Sequence, residues 1–302
     1  MRHAYMILAH SGWNQLERLL TLLDDPDNDV YVHIDRKAKD CPVDRLRAAA
    51  EHSRVALCSE FDVYWGCYVM VEAELLLLEQ ARQTGYDYYH LLSGADLPLK
   101  PQREIHAFFE QNRGREFVHF APDAAREGNP GIVRRTRLYH PLQRFRRGFR
   151  QPVLNKMAVL VDRAQMAAQL CLGVDRMKKH PGLEIRYGSQ WFSITDALAA
   201  HLLAQRSMIR EVFRCTSCAD ELFVQTLVHN SEFRERLYHP VYDGSRLANQ
   251  RYIDWSGSTN GSPHTFRMAD FDAIVSSGCL FARKFSMDAD PALFDRICAL
   301  SE

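Results

Sequence analysis

Residues 4–22 decide the fold class, and they read Ala-Tyr-Met-Ile-Leu-Ala-His-Ser-Gly-Trp-Asn-Gln-Leu-Glu-Arg-Leu-Leu-Thr-Leu. The apolar run from Ala4 to Ala9 predicts a short buried strand. Leucines that follow Gln15 at helical spacing predict a helix, and the three residues from His10 to Gly12 form the loop between the two elements. A chain that begins strand, loop, helix favours an α/β fold.

The same alternation continues through the first third of the chain. Residues 30–34 are rich in β-branched and aromatic side chains and predict a strand that ends at Asp35, and residues 55–57 predict another. A mostly buried helix is expected over residues 67–83, followed by a strand over residues 86–92. In an open parallel sheet, ligands bind beyond the carboxyl ends of the strands, so Ser11, Asp35 and Asp96 are expected at a nucleotide site.

The composition is that of a globular protein whose positive and negative charges balance. The 302 residues contain 38 Lys and Arg and 38 Asp and Glu, which gives no net charge for nucleic-acid binding. Eight scattered cysteines and a short apolar start are typical of reduced thiols in a cytoplasmic protein, and the CxxC pair Cys215 and Cys218 has no second pair beside it. The longest apolar stretch, residues 75–78, is too short for a transmembrane helix.

The middle of the chain is locally basic. Between residues 128 and 151 neither a strand nor a long helix is predicted, and arginines alternate with aromatic residues from Arg134 to Arg150. Such a segment can hold an anionic acceptor, lie on a membrane surface or contact nucleic acid, and a solvated loop with salt bridges is the structural alternative.

Residues 187–194 run from a turn into a strand, and Thr195 is expected to cap the helix that follows. Gly188 allows a ligand to approach the backbone closely. The alternative is a packed strand end in which Gln190 serves the indole nitrogen of Trp191.

Two adjacent carboxylates, Asp220 and Glu221, lie at an expected helix start. Ser217 and Asp220 have the spacing of a capping box, and acidic residues in a first helical turn are favoured by the helix dipole. A carboxylate at a helix start beside a cleft is equally suited to act as a general base. The spacing leaves both interpretations open.

Two adjacent cations, Arg283 and Lys284, lie between Phe281 and Phe285 near the end of the chain. The apolar neighbours draw the segment toward a core, while the charges need an anion. A phosphate or diphosphate fits that need. The alternative is an edge strand whose cations are paired with carboxylates or water.

Seven segments, taken together and in order, resemble the core 2/I-branching glycosyltransferases and peptide O-xylosyltransferases, glycosyltransferase family 14. The segments are residues 9–11, 33–35, 63–66, 92–100, 188–192, 220–226 and 281–285.

The resemblance implies a GT-A type α/β fold in one domain over residues 1–302. A Rossmann-like nucleotide-binding half would span about residues 1–125, and an acceptor-binding and catalytic half about residues 126–302, around a mixed central sheet. The implied reaction is the inverting transfer of a sugar, N-acetylglucosamine or xylose, from a UDP-sugar to a hydroxyl of a glycan or lipid-linked acceptor.

Site residues are implied position by position. The uridine and ribose end of the donor would contact Ala9, Asp35, Val63, Tyr64 and Trp65. Gln190 and Trp191 would line the sugar side, where other members sometimes carry an acidic residue in place of the glutamine. The diphosphate would be held by Ser262, Arg283 and Lys284. Glu221 would be the base, with Asp96 and Asp220 close to the reacting centre.

No strand-end Asp-x-Asp motif is found for a metal. Residues 25–29 lie in a turn, and Asp288 and Asp290 are expected to cap a helix. We therefore predict metal-independent transfer without a cofactor, because fixed cations can stabilise the leaving diphosphate. A non-catalytic nucleotide-sugar or glycan-binding protein of the same fold is the alternative, and nucleic acid is not expected as a partner. A cytoplasmic location is expected, with peripheral contact at the inner face of the membrane through Arg134–Arg150.

Overall fold

A computed structural model of the chain describes residues 1–123, 129–143, 152–256 and 261–302. Its described strands are β1 His3–Ala9, β2 Asn28–Ile34, β3 Arg54–Cys58, β4 Tyr88–Ser93, β5 Asp96–Pro98, β6 Phe117–Val118, β7 Phe192–Thr195, β8 Arg251–Ile253 and β9 Phe281–Arg283.

Six strands form the central sheet in the order β3-β2-β1-β4-β7-β6. The first four are parallel, whereas β7 runs antiparallel to β4 and β6 antiparallel to β7. The predicted α/β fold, with a parallel Rossmann-like start and a mixed central sheet, is confirmed. Ala9 pairs with Ile34, and Leu8 with Ser93, so the carboxyl ends of β1, β2 and β4 meet at one edge of the sheet.

The described helices are α1 Trp13–Leu22, α2 Val43–Arg47, α3 Val69–Arg82, α4 Gln102–Gln111, α5 Pro130–Arg137, α6 Pro152–Cys171, α7 Asp196–Ala204, α8 Arg206–Phe213, α9 Phe223–His229, α10 Phe271–Val275 and α11 Pro291–Ser301. None of the helices in the described ranges has the length and apolar character needed to cross a bilayer.

Helices cover both faces of the central sheet because the side chains of β1 alternate between the faces. Tyr5 and Ile7 belong to a core with α1, α4 and α11. Ala4 and Met6 belong to the opposite core with α3, α7 and α8. The last helix thus packs beside the first, and the division of the chain near residue 125 stays a prediction.

No long helix is predicted within residues 128–151, and the structure has a short one in their first part, where α5 spans Pro130–Arg137. Its start has a recognisable signal, because the Asn129 side chain accepts a hydrogen bond from the backbone N–H of Gly131 and a proline occupies the first turn. The cap predicted at Thr195 is confirmed by its bond from the Leu198 backbone. Residues 144–150 of the arginine-rich segment lie outside the described residues.

A second sheet of three strands lies beyond the end of β4, in the order β5-β9-β8. Arg283 is therefore not on an edge strand, because β9 pairs with β5 on one side and β8 on the other, and Lys284 follows directly after β9. Within this sheet Arg283 is the register partner of Asp96.

Candidate active site

A cleft of about 1200 Å³ opens at the carboxyl ends of β1, β2 and β4 and reaches β8 and β9 of the second sheet. Eleven of the thirteen predicted site residues line it: Ala9, Asp35, Val63, Trp65, Gln190, Trp191, Asp220, Glu221, Ser262, Arg283 and Lys284. The fold thus brings together residues that are up to 275 positions apart. Their individual roles stay predictions.

Asp35 lies at the end of β2 and is already paired within the protein. Its carboxylate accepts hydrogen bonds from Lys37 Nζ at 2.8 and 3.1 Å and from the Val63 backbone N–H at 3.2 Å. Lys37 in turn lies 4.1 Å from the centre of the Tyr64 ring. Tyr64 does not line the cleft itself but supports the lysine that orients Asp35.

Arg283 is held in place by the buried carboxylate of Asp96. Its Nη1 donates to Asp96 Oδ1 at 2.9 Å and also to the Ser93 hydroxyl. The guanidinium lies 4.6 Å from the Trp191 ring, so an aromatic face and an ion pair hold it in place. Asp96 is buried, and its carboxylate also accepts from the Ser93 backbone N–H. Asp96 therefore orients Arg283.

Lys284 has a weaker attachment. Its Nζ donates to Ser262 Oγ at 3.3 Å, and no carboxylate of the described residues lies within ion-pair distance of it. Partial burial, together with the charge of Arg283, lowers the pKa of Lys284. A cation held near a second cation without its own counter-ion is a site for an anion.

Glu221 lies in a short 3-10 turn, Ala219–Glu221, immediately before α9. Its Oε2 accepts from Arg135 Nη1 at 2.7 Å. Burial raises the pKa of Glu221, and the Arg135 charge opposes that rise. The expected capping box is wrong, because Ser217 makes no capping bond and Cys218 precedes the turn in a left-handed conformation.

Two further carboxyls of this region, those of Asp220 and Glu74, are buried. Loss of water and the charge of Glu221 raise the pKa of Asp220 to about 7. Glu74, on α3, is fully buried, and burial raises its pKa well above the usual range. Its Oε1 accepts from Gln190 Nε2 at 2.7 Å. The packing alternative paired Gln190 with the Trp191 indole, whereas in the structure the glutamine amide is held by Glu74. One oxygen each of Asp220 and Glu74 has no hydrogen-bond partner among the described residues.

Only glycine fits at position 188. A Cβ there would lie 1.9 Å from the backbone oxygen of His119. The Gly188 backbone N–H donates to the backbone oxygen of Glu221 at 3.0 Å, and Gln225 Nε2 donates to the Ser189 backbone oxygen at 2.7 Å. These contacts couple the turn before β7 to the turn that carries the candidate base.

Several site residues escape prediction from the sequence. Arg135, Glu74 and His119 lie in segments that give no catalytic signal, and Arg251 lies on β8 fully buried. Arg251 donates to Phe192 O at 2.9 Å and so connects the second sheet to the central one. The proposed membrane role of the basic segment is wrong for Arg135, whose guanidinium binds Glu221.

One group of three possible metal ligands lies away from the cleft. Among the described residues, Asp25, Asp27 and His106 bring three ligand atoms within 4.8 Å of one another, but none of them lines the cleft. The Asp290 side chain caps α11, as predicted, by accepting from Leu293 N at 2.9 Å, whereas Asp288 lines the cleft and does not cap the helix.

Comparison with known proteins identifies the family. The sequence model of the Core-2/I-Branching enzyme family matches residues 3–275. This chain belongs to that family. The resemblance predicted from the seven segments is therefore confirmed.

Relatives of this core-2/I-branching family member include xylosyltransferases. Xylosyltransferase 2 of Rattus norvegicus is 24% identical over 309 residues, and xylosyltransferase oxt of Drosophila melanogaster is 23% identical over 306 residues. Each alignment covers 94% of this chain but 32% of the relative, so the chain spans about a third of their length.

A solved structure of mouse xyloside xylosyltransferase 1 in its apo form aligns with this chain. The alignment covers 93% of this chain and 96% of the mouse chain. The identity is 11% and the TM-score 0.39.

Proposed function

We propose that this family member is an inverting glycosyltransferase of the GT-A type that moves a sugar from a UDP-sugar to an acceptor hydroxyl. The observation that carries the proposal is that one cleft is lined by a partly buried carboxylate, Glu221, and by two adjacent cations, Arg283 and Lys284. Inverting displacement requires both features, a base for the acceptor proton and positive charge for the departing diphosphate.

The reaction assigns one role to each end of the cleft. Glu221 takes the proton of the acceptor hydroxyl as its oxygen attacks the anomeric carbon, and the bond from that carbon to the β-phosphate oxygen breaks. Arg283 and Lys284 stabilise the charge that appears on UDP. We propose that these cations replace a metal ion. Inversion follows from a single displacement on the face opposite the leaving group.

The donor end is assigned to the loops that follow β1 and β2. Asp35 is held by Lys37 with its carboxylate edge at the cleft, which suits hydrogen bonding to the uridine and ribose. The Gln190 amide nitrogen donates to Glu74, so the amide oxygen can accept a hydrogen bond from the transferred sugar. Xylose and N-acetylglucosamine are the proposed sugars, with a glycan or lipid-linked acceptor. The relatives that are xylosyltransferases by name favour xylose.

A donor screen in the presence of chelator tests this function. We expect UDP-xylose or UDP-N-acetylglucosamine to raise the melting temperature and to release UDP in the presence of EDTA, because the cations that hold the diphosphate are part of the chain. GDP-sugars serve as the control for recognition of the uracil ring of the donor. Release that vanishes with EDTA and returns with manganese would contradict metal independence, and stabilisation by no UDP-sugar would contradict the proposed function.

A non-catalytic binding protein of the same fold remains the second candidate, because the pairing of Glu221 with Arg135 also has a structural role. Such a protein would be stabilised by UDP-sugars without releasing UDP. The screen therefore separates the two candidates.

A further inference from the structure

We infer that helix α6 is a docking surface for an anionic lipid membrane. The inference has its own observations, the exposure of α6 and the charge around it, and does not depend on the reaction proposed above. It replaces the arginine-rich segment before α6 with the helix itself as the principal contact.

An exposed apolar stripe runs along α6. Leu160 and Val161 follow Met157 at helical spacings of three and four, and Ala164 and Ala168 continue the same face. Met157 is 58% exposed, Leu160 68% and Val161 54%. Isolated exposed apolar residues are ordinary, but an aligned series on one helix face indicates a binding surface.

The opposite side of α6 is attached to the protein. Gln169 Oε1 accepts from the Tyr139 backbone N–H at 2.7 Å, and Gln169 Nε2 donates to the Tyr139 backbone oxygen at 2.9 Å. Asp162, the acidic residue of the helix, is buried. The helix therefore presents its apolar stripe outward in a fixed orientation.

Charge decides between a membrane and a second protein chain. Residues 152–179, which contain α6 and the segment after it, hold five Lys and Arg but two Asp and Glu, a net charge of +3 in a chain whose total is zero. The exposed charged residues of α6, Lys156 and Arg163, are both cations. A second copy of this chain would bring like charges together, whereas an anionic lipid surface attracts them.

The position of α6 gives the surface a use. Tyr139, to which α6 is bound, lies two residues after α5, and α5 carries the Arg135 that binds Glu221. A membrane bound at α6 would therefore lie on the side of the molecule that holds the candidate base. An acceptor carried by a lipid could be presented there.

Vesicle sedimentation with the purified full chain tests the inference. We expect the wild-type chain to sediment with vesicles of phosphatidylcholine and phosphatidylglycerol but not with phosphatidylcholine alone, and added salt should weaken binding. Val161→Glu should lower the bound fraction about tenfold, since it places a charge where a valine would enter the lipid. Val241→Glu is the matched control, because Val241 is equally exposed, at 59%, and lies elsewhere.

A second pair of variants separates charge from apolar contact. Arg163→Glu should also lower binding to the mixed vesicles, whereas Arg103→Glu on α4 should not. Melting temperatures of all four variants should equal that of the wild type, because each site is exposed. The inference is overturned if wild-type chain ignores anionic vesicles, or if Val161→Glu and Val241→Glu bind equally. A dimer that Val161→Glu dissociates would assign the face to a second copy instead.

Discussion

Replacing Glu221 by glutamine is expected to lower the rate of sugar transfer about 10²- to 10⁴-fold, the usual contribution of a positioned general base. The amide keeps the size of the carboxylate and can still accept from Arg135 Nη1, so the turn before α9 should keep its structure. UDP should stabilise the variant as much as the wild type. Initial rates of UDP release, measured beside a thermal shift with UDP, check both expectations.

Glu232→Gln is the matched control for this variant. Glu232 is exposed and its nearest cation, Arg236, is 3.9 Å away, so the same chemical change should leave the rate unaltered. Normal transfer by Glu221→Gln would show that the base is another group.

The pH profile gives the base assignment a second readout. A base acts only when ionised, so the rate should rise with pH through the pKa of Glu221, which burial raises from its ordinary value. Arg135 opposes that rise. Arg135→Met should therefore raise the pKa of Glu221 further and move the acid limb to higher pH, which a merely structural arginine would not do.

Replacing Arg283 by methionine is expected to have two effects that can be separated. It removes a cation from the proposed diphosphate site, and it leaves the buried carboxylate of Asp96 without its 2.9 Å ion-pair partner. Breaking such a buried pair costs about 3 kcal/mol. We expect a lower melting temperature and a loss of UDP affinity, measured by denaturation and by titration.

The second change Asp96→Asn distinguishes the two effects. The double variant has no unpaired buried charge, so its stability should recover toward that of the wild type while its UDP affinity stays low. Lys284→Met is the matched single variant, because Lys284 binds only a serine hydroxyl among the described residues, and it should lose UDP affinity without loss of stability. Recovery of transfer in the double variant would mean that Arg283 is needed only to neutralise Asp96.

The alternating part of the fold could be predicted from local pattern. The strand at the chain start and the helix after it have clear apolar periodicity, and residues 30–34 are typical of a buried strand. Consecutive strands usually lie side by side, as β1, β2 and β3 do, but the antiparallel places of β7 and β6 have no local signal. Helix α5 has no clear apolar periodicity in the sequence because arginines obscure its short apolar face, although Asn129 and the proline after it mark its start.

The site was predictable only where a motif carries chemistry. Glu221, Arg283 and Lys284 have unusual neighbours in the sequence, so they can be selected as candidates before the fold is known. The residues around them cannot be selected in this way. Glu74 lies within an apolar helix that reads as core, and Arg135 is 86 residues away from the carboxylate it binds.

Long-range ion pairs and hydrogen bonds leave no trace in local spacing. Asp96 illustrates this limit. Its place after a strand predicts a nucleotide site and the family resemblance places it near the reacting centre, but only the register of β5 and β9 reveals its ion pair with Arg283. The expected cytoplasmic location stays a prediction.

A titration of UDP against uridine in the presence of chelator tests the central claim most directly, namely that fixed cations of this cleft hold a nucleoside diphosphate. Calorimetry on the wild-type chain should give UDP at least about tenfold higher affinity than uridine, because only UDP offers charge to Arg283 and Lys284. Equal affinities, or UDP binding that appears only when manganese is added, would contradict the account.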